Sequence, residues 1–511
     1  MPATEYDQLA YKTGAFPKAH PNRLAVVARL AGLPTAALET ARILELGCGD
    51  GTHLAWVAAT LPNAQCVGVD LSSAAIDTGL AAAARAGLTN LSLRALDVMA
   101  IDAAFGQFDF IISHGLFSWV PDAVRAQILR ICQTNLAPDG VAYISFNALP
   151  ENAFRDLARM VMRSALTDTD RVTLSPSDQL KIGRAALKAV ADGAEGSEQY
   201  RSVMRAQSER VEETQDYLLF HDDFAPFQKA FYFTEFAQMA ASNGLDFLGD
   251  AELGDSALAL SLTRSGEVAR QFGRTRVERE QWLDFKMGRA FRSALLVHTG
   301  KVIPDHVSDA DVSGFRIAGD VRYTVPNDIV MINRTKVTFR GGTGSAMTTD
   351  EPLVKSALHL LQKRAPASIS FAEMKAAVLM ATAEADNDYN HERLREFVVR
   401  AVALGMIELY LTPDAFTLTP GAQPYMHPMT RSAVAQTGIG ISLTGKPVNA
   451  EDPPIRHFAS LLDGTRDRTA LTAAMRAFLT EHKMPLPEAD MMERIMDNGL
   501  EVFAKSGALI S

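Results

Sequence analysis

A doubly wound α/β sheet, with parallel strands covered by helices on both faces, is the fold the sequence predicts for residues 40–150. Three observations predict it. Short apolar runs alternate with helix-like stretches across this span, and strand–helix alternation builds parallel sheets through right-handed crossovers. The runs lack polar alternation, as expected of strands buried on both faces. The first run, Arg42-Ile43-Leu44-Glu45-Leu46, passes directly into Gly47-Cys48-Gly49-Asp50-Gly51, where glycines permit the tight turn between a strand and its helix.

Taken in order, the predicted strands are 42–46, 65–70, 91–94, 108–113 and 141–146, with helices over 52–60, 73–86 and 122–135. Pro138-Asp139-Gly140 reads as a turn before the fifth strand. Residues 151–225 are almost all helix formers, with Ser175-Pro176-Ser177-Asp178 as a break and N-cap, so 151–230 is read as a helical insertion. It begins at the carboxyl edge of the sheet, where open α/β folds bind ligands. A helix over 234–243 closes at Gly244. Strands over 246–253 and 257–263 are expected to pair as an antiparallel hairpin around Gly254-Asp255. This places a first domain at 1–263, a middle region at 264–345 and a mainly α C-terminal region at 346–511. Within the last, helices over 352–363, 371–381 and 391–404, followed by strands over 406–411 and 415–418, predict a winged-helix-like unit.

Composition narrows the function classes. The 511 residues suggest several domains; 47% are hydrophobic and 22% charged, and the formal net charge is −10. An acidic balance argues against bulk nucleic-acid binding, whose affinity comes from clustered Lys and Arg. The three cysteines form no C-x-x-C pair, and a reducing compartment fits. Residues 1–7 lack the basic start and apolar core of a signal peptide, and no uncharged apolar run reaches the roughly 18 residues of a membrane span. The expected location is cytoplasmic. No His/Cys pattern predicts a metal.

The chemistry is read from the strand ends. A G-x-G-x-x-G loop aims a helix N-terminus at a pyrophosphate. This chain has G-x-G-x-G preceded by Glu45; a carboxylate there repels a diphosphate and suits the cationic amino-acid end of S-adenosylmethionine (SAM). Gly47, Gly49 and Gly51, with Glu45, are therefore cofactor candidates. Asp70 ends the second strand, where a carboxylate can accept both ribose hydroxyls; it is assigned to the cofactor with the adjoining Leu71. Asp97 and Val98 follow the third strand and are placed to read adenine. The fourth strand ends in Ser113-His114-Gly115-Leu116-Phe117-Ser118-Trp119. His114 is a cofactor and catalytic candidate, with Phe117 and Trp119 walling the methyl-transfer channel. Alternatively, Trp119 packs the next helix onto the sheet and His114 is a satisfied strand-end group. Asn147, closing the fifth strand, either holds an acceptor amine or is a turn residue before Pro150. Ahead of the sheet, Tyr11 and Phe16 form either a flap over the cofactor, gaining cation–π attraction, or a buried strap.

Residues 40–150 resemble a class I SAM-dependent methyltransferase, whose sheet is Rossmann-like. Tyr6-Asp7 with Tyr11 and His20-Pro21, the Ser113–Pro121 block, and Asn147 with Pro150 resemble bacterial methyltransferases with an appended methyltransferase regulatory domain. His221-Asp222-Asp223, Phe231-Tyr232-Phe233, Asp284-Phe285, Arg289, Phe291-Arg292 and Leu462-Asp463-Gly464-Thr465-Arg466 are similar to later parts of that pattern. The family includes rickettsial protein lysine methyltransferases that act on outer-membrane protein and dimerise. The resemblance implies SAM as methyl donor, S-adenosylhomocysteine (SAH) as product, a protein lysine as acceptor and a homodimer. One departure is Glu151-Asn152, where the family pattern has Gly-Trp after the proline. Two rival readings stay open: methylation of a small molecule, and a SAM-binding scaffold without turnover.

Overall fold

The computed structural model describes residues 13–256, 258–259, 266–324, 332–342 and 344–511. Seven strands form the central sheet: β1 (Arg42–Leu46), β2 (Gln65–Asp70), β3 (Leu91–Ala95), β4 (Phe108–Ser113), β5 (Leu136–Asn147), β6 (Leu245–Asp250) and β7 (Phe291–His298). Their spatial order is β3-β2-β1-β4-β5-β7-β6. β1 to β5 run parallel, and β7 lies antiparallel to both β5 and β6. The chain reverses between β1 and β4, so the carboxyl ends of β1, β2, β4 and β5 open onto one crevice.

The helices form where the sequence places their caps. α1 (Pro21–Leu30) starts with His20, whose ring accepts from Asn22 N–H. α2 (Thr52–Thr60) begins directly after Gly51. α3 (Ser73–Ala86) is capped by Ser72 and closed by Gly87 in a left-handed conformation. α4 (Asp122–Asn135) precedes β5. Two apolar layers flank the sheet: Ile43, Phe110, Ile112 and Tyr143 face one, and Leu44, Ile111, Ile144 and Phe146 the other. The turn expected at Pro138-Asp139-Gly140 is not a break: β5 runs through it, with a register shift against β4 between Phe108 and Phe110.

One expectation is corrected, and another falls partly outside the described residues. The first arm of the hairpin expected over 246–263 stops at Asp250. β6 is followed by a short 3-10 turn at Leu253–Asp255, residues 257 and 260–263 lie outside the described residues, and β6 pairs with β7 instead. The sheet therefore does not end at residue 263 but takes its last strand from Phe291–His298. Pairing of β6 with β5 directly would leave no room for this buried strand, whose burial pattern is almost continuous. α10 (Phe233–Ser242) precedes β6, and α11 (Gly266–Phe272) and α12 (Arg276–Met287) lie between β6 and β7.

The insertion forms as a small helical unit: α5 (Asn152–Ser164), α6 (Asp168–Thr173), α7 (Pro176–Asp192), α8 (Glu198–Glu213) and α9 (Asp216–Asp223), around Ala158, Met162, Leu180, Leu187 and Leu219. Arg155 stitches it together through both oxygens of Asp223, at 3.1 and 2.8 Å.

Beyond the sheet lie β8 (Arg316–Ala318), β9 (Val321–Arg322), β10 (Val337–Gly341), β11 (Ala346–Thr349), α13 (Pro352–Arg364), β12 (Ile369–Ser370), α14 (Phe371–Thr382), α15 (Asp388–Ala403) and β13 (Glu408–Tyr410). The three helices appear where expected. The wing does not: residues 415–418 form no strand, and β13 pairs with β8, which also pairs β12. The hairpin lost to a partner nearly a hundred residues upstream. The tail, from α16 (Pro428–Thr437) onward, packs its own core around Phe458, Leu471, Leu500 and Phe503. It touches the sheet domain where Trp56 of α2 donates to the Leu443 carbonyl at 3.1 Å. Among the described residues no helix is long and apolar enough to cross a membrane.

Candidate active site

Gly47, Gly49 and Gly51 all have positive φ, at 72°, 57° and 71°, a region that L side chains rarely adopt. The loop is closed on itself by backbone bonds. Gly47 and Cys48 N–H both reach the Val69 carbonyl, at 2.9 and 3.1 Å. The helix behind it presses close: a Cβ on Gly79 of α3 would lie 2.1 Å from the Asp50 carbonyl oxygen.

Asp70, a cofactor candidate, gathers the backbone around the end of β2. Its Oδ2 accepts from Gly49 N–H at 2.8 Å and its Oδ1 from Ser72 N–H at 2.9 Å. An ionised carboxylate has about four lone-pair sites, so capacity for a ribose diol remains. Burial raises its pKa, against the pull of these N–H groups. Leu71 beside it is exposed. Glu45 is buried at the end of β1, and its Oε2 has no hydrogen-bond partner. Burial first, then the neighbouring Asp70 and Asp50 carboxylates, push its pKa well above the usual range. An orphaned buried carboxyl beside a glycine loop fits a cationic ligand group. Asp97 is exposed, and its Oδ1 accepts from Met99 N–H at 2.9 Å, which leaves its second oxygen for an amine. Val98 opens the short 3-10 turn that follows.

At the other end of the crevice, His114 follows β4. Its Nδ1 lies 2.9 Å from the Tyr143 hydroxyl, and that hydroxyl donates to Ser293 Oγ of β7 at 3.2 Å. Phe16 lies against the imidazole, tilted by 32° with ring centroids 3.9 Å apart, and Phe291 stands 6.0 Å away. Burial lowers the His114 pKa to about 4, so it is neutral at pH 7. The loop is held by serines: Gly115 N–H donates to Ser145 Oγ at 2.8 Å, and Asn147 N–H to Ser118 Oγ at 2.9 Å. Asn147 is buried, with its amide nitrogen unpartnered. Asn152, at the family departure, is also buried and donates to the carbonyls of Ala148 and Ala290, tying β5 to the approach of β7.

The structure thus brings Glu45, Gly47, Gly49, Gly51, Asp70, Asp97, His114 and Asn147 to strand ends around one crevice. Tyr11, Tyr6 and Asp7 lie outside the described residues. Phe117 does not wall a channel: it is fully buried against Phe231 and Phe236. Trp119 turns toward the insertion, where the Arg159 guanidinium sits 5.7 Å over its ring. The sequence reading missed His53, Tyr143, Ser293 and Thr13. Buried His53 accepts from Phe16 N–H at 3.2 Å and leaves Nε2 unpartnered; Thr13 bonds Asp50. One signal was available: Tyr143, Ser145 and Asn147 alternate along β5 and so share a face.

Residues 43–140 match the family described as methyltransferase domain, and residues 215–298 match that described as predicted methyltransferase regulatory domain. The Uncharacterized protein RP789 of Rickettsia prowazekii is 30% identical over 397 residues, covering 76% of this chain and 69% of that one. The chain is a class I SAM-dependent methyltransferase with a methyltransferase regulatory domain. Trans-aconitate 2-methyltransferase of Deinococcus radiodurans is 34% identical over 113 residues, or 22% of this chain and 40% of that enzyme. The fold of the whole methyltransferase matches PKMT2 from Rickettsia typhi, with a TM-score of 0.82 over 98% of this chain and 100% of that one, at 22% identity; PKMT2 has also been solved in complex with AdoHcy. In this methyltransferase the regulatory segment is not a separate body. It comprises α9, α10, β6, α11, α12 and β7, and so supplies two strands of the catalytic sheet. Its characteristic residues form a buried ionic cluster: Arg292, with no exposed surface, bonds Glu280 and Asp284 at 2.8 Å each.

Proposed function

We propose that this methyltransferase transfers a methyl group to the amine of a lysine side chain on a protein. The observation that carries the reading is the surface at the acceptor end. Phe291 is 42% exposed and stands beside His114. On the regulatory segment, where Phe231 N–H donates to the Asn147 carbonyl at 2.9 Å, Tyr232, Phe285, Trp282 and Phe272 form a chain of rings 5.0–6.1 Å apart, three of them exposed. Exposed aromatic rings of this kind, on a segment that pairs with the end of β5, suit a macromolecular substrate. The likeness of the whole fold to PKMT2 supports the same reading, whereas the likeness to trans-aconitate 2-methyltransferase extends over 22% of this chain.

The residues present divide the work. Glu45 would hold the cationic amino-acid end of the donor, Asp70 its ribose and Asp97 its adenine amine. SAM supplies a methyl group on a good leaving group, so transfer needs chiefly alignment and exclusion of water. A lysine ammonium has a pKa of about 10.4, some six powers of ten above the His114 imidazole at about 4. His114 is therefore no base for it. The proton is lost to water as the amine enters the apolar crevice, where burial favours the neutral form. His114 and Asn147 then orient the neutral amine, and Phe16 covers the site.

The test is incubation with labelled SAM and bacterial lysate, followed by mass mapping of the modified residue. Label on lysines of intact protein is the expected result. Label only in small acids returns the small-molecule alternative, and none at all, with SAH still bound, the scaffold.

A further inference from the structure

We infer that Tyr143 and Ser293 are positioning residues that lock His114 in its Nδ1–H tautomer, presenting Nε2 to the crevice as a hydrogen-bond acceptor. The direction of two bonds carries this. The Tyr143 hydroxyl has one hydrogen, which the bond geometry assigns to Ser293 Oγ, 3.2 Å away. The same oxygen stands 2.9 Å from His114 Nδ1 and, with its hydrogen committed, can only accept there. A neutral imidazole carries one N–H, so the proton sits on Nδ1 and the lone pair on Nε2. Nε2 makes no hydrogen bond among the described residues.

The lock is built into buried structure. Tyr143 is fully buried and Ser293 is 4% exposed. Ser293 is itself held by its N–H donating to Asp250 Oδ2 at 3.3 Å, and Asp250 lies 3.6 Å from Arg292. The relay therefore runs from the ionic cluster of the regulatory segment, through two hydroxyls, to the crevice. Phe16 packs on the imidazole and Phe291 stands edge-on to it, and the titratable groups facing it are Tyr143 from β5 and His53 from α2.

The tautomer matters because methyl transfer uses the nitrogen lone pair of the acceptor. A neutral amine donating one N–H to an accepting Nε2 turns its lone pair elsewhere, free to attack. The Nε2–H tautomer would instead donate to that lone pair and block it. This consequence rests on the reading that His114 meets the acceptor amine; the tautomer itself does not.

The experiment is long-range nitrogen–proton NMR at pH 7.5 on the full chain labelled with [15N]histidine, with His114→Gln assigning the signal. The wild type is expected to show the Nδ1–H pattern. Tyr143→Phe should give a mixture. Ser293→Ala, which frees the hydroxyl to donate to the ring, should move His114 toward Nε2–H with Tyr143 still in place. An Nε2–H pattern in the wild type, or an unchanged Nδ1–H pattern in Tyr143→Phe, overturns the inference. Methylation is read in parallel: kcat in both variants should fall about tenfold, with KM for SAM unchanged. A shifted tautomer with normal kcat would leave the lock standing and remove His114 from the acceptor amine.

Discussion

The cofactor end of the crevice is assembled between Glu45 and Asp70, mostly by backbone N–H groups folding onto a carboxylate. The acceptor end is assembled from Phe16, His114, Tyr143 and Ser293, four separate stretches, with one bond spanning 150 residues. The first is a local device that any chain with this loop can carry. The second exists only when the whole sheet, including β7, is in place. In the proposed reading, a cofactor common to a whole superfamily and an acceptor particular to one branch would thus be held by structures of different range.

The two ends also oppose each other in the direction in which folding shifts proton binding. At the acceptor end His114 and His53 are buried neutral, with pKa values pushed down by burial, His114 to about 4. The folded form then binds fewer protons than the unfolded one, so stability is lost as pH falls from about 6.5 toward about 4. Each tenfold step in proton affinity is worth about 1.4 kcal/mol, giving about 3 kcal/mol for His114. At the cofactor end Glu45 holds its proton more tightly when folded, so stability is lost as pH rises above the ordinary value of 4.5. Urea unfolding from pH 4 to 9 should show both limbs, with His114→Gln flattening the acid side and Glu45→Gln the other. An acid limb unaffected by His114→Gln would break the contrast.

Asp70→Ala removes the acceptor for two backbone N–H groups and for the ribose. Affinity for SAH, read by calorimetry, should fall at least about 100-fold, since each unpaired buried partner costs about 1–3 kcal/mol. Unaltered affinity would mean the cofactor end is not assembled locally. Gly79→Ala puts a methyl against the Asp50 carbonyl, and overpacking of this kind costs about 1–3 kcal/mol; the expected result is a lower melting temperature and weaker SAH binding together.

A smaller effect tests Glu45. Binding an ammonium beside it favours the ionised carboxylate, so a proton leaves as SAH binds. Affinity should rise with pH by at most about tenfold per pH unit, with a binding heat that depends on the buffer, and Glu45→Gln should abolish both. Smallest of all is Trp119→Phe. Its contact with Arg159 is worth about 0.5–1 kcal/mol, and turnover should change less than about threefold. A large rise in KM for a protein acceptor would instead move Trp119 back to the acceptor end.

The same contrast explains what could be read from sequence. β1, β2, β4 and the first three sheet helices fall where their patterns place them, because apolar runs and caps such as Ser72 and Gly87 are local signals. The glycine loop and Asp70 were legible for that reason. β7 was not: nothing near Phe291–His298 says that it inserts between β5 and β6, and the natural guess pairs neighbours into a hairpin. Tyr143 looked like one more apolar strand residue, because its partners come from β4 and β7. Phe117 looked functional beside His114, yet the turn sends its ring back into the core. The wing failed in the same way, when β8 took the place of the predicted strand.

Segment 215–298 bears a label that suggests a detachable governor, but six residues of β5 pair with β7 along its length, from Ala142–Leu296 to Asn147–Phe291. A shortened enzyme that stops ahead of Asp216 would bare this margin as a row of unsatisfied amides and carbonyls, the kind of rim that recruits stray chains and precipitates. Trimming this protein to a minimal catalyst therefore has its floor at His298, well past the point where the recognisable methyl-donor machinery ends.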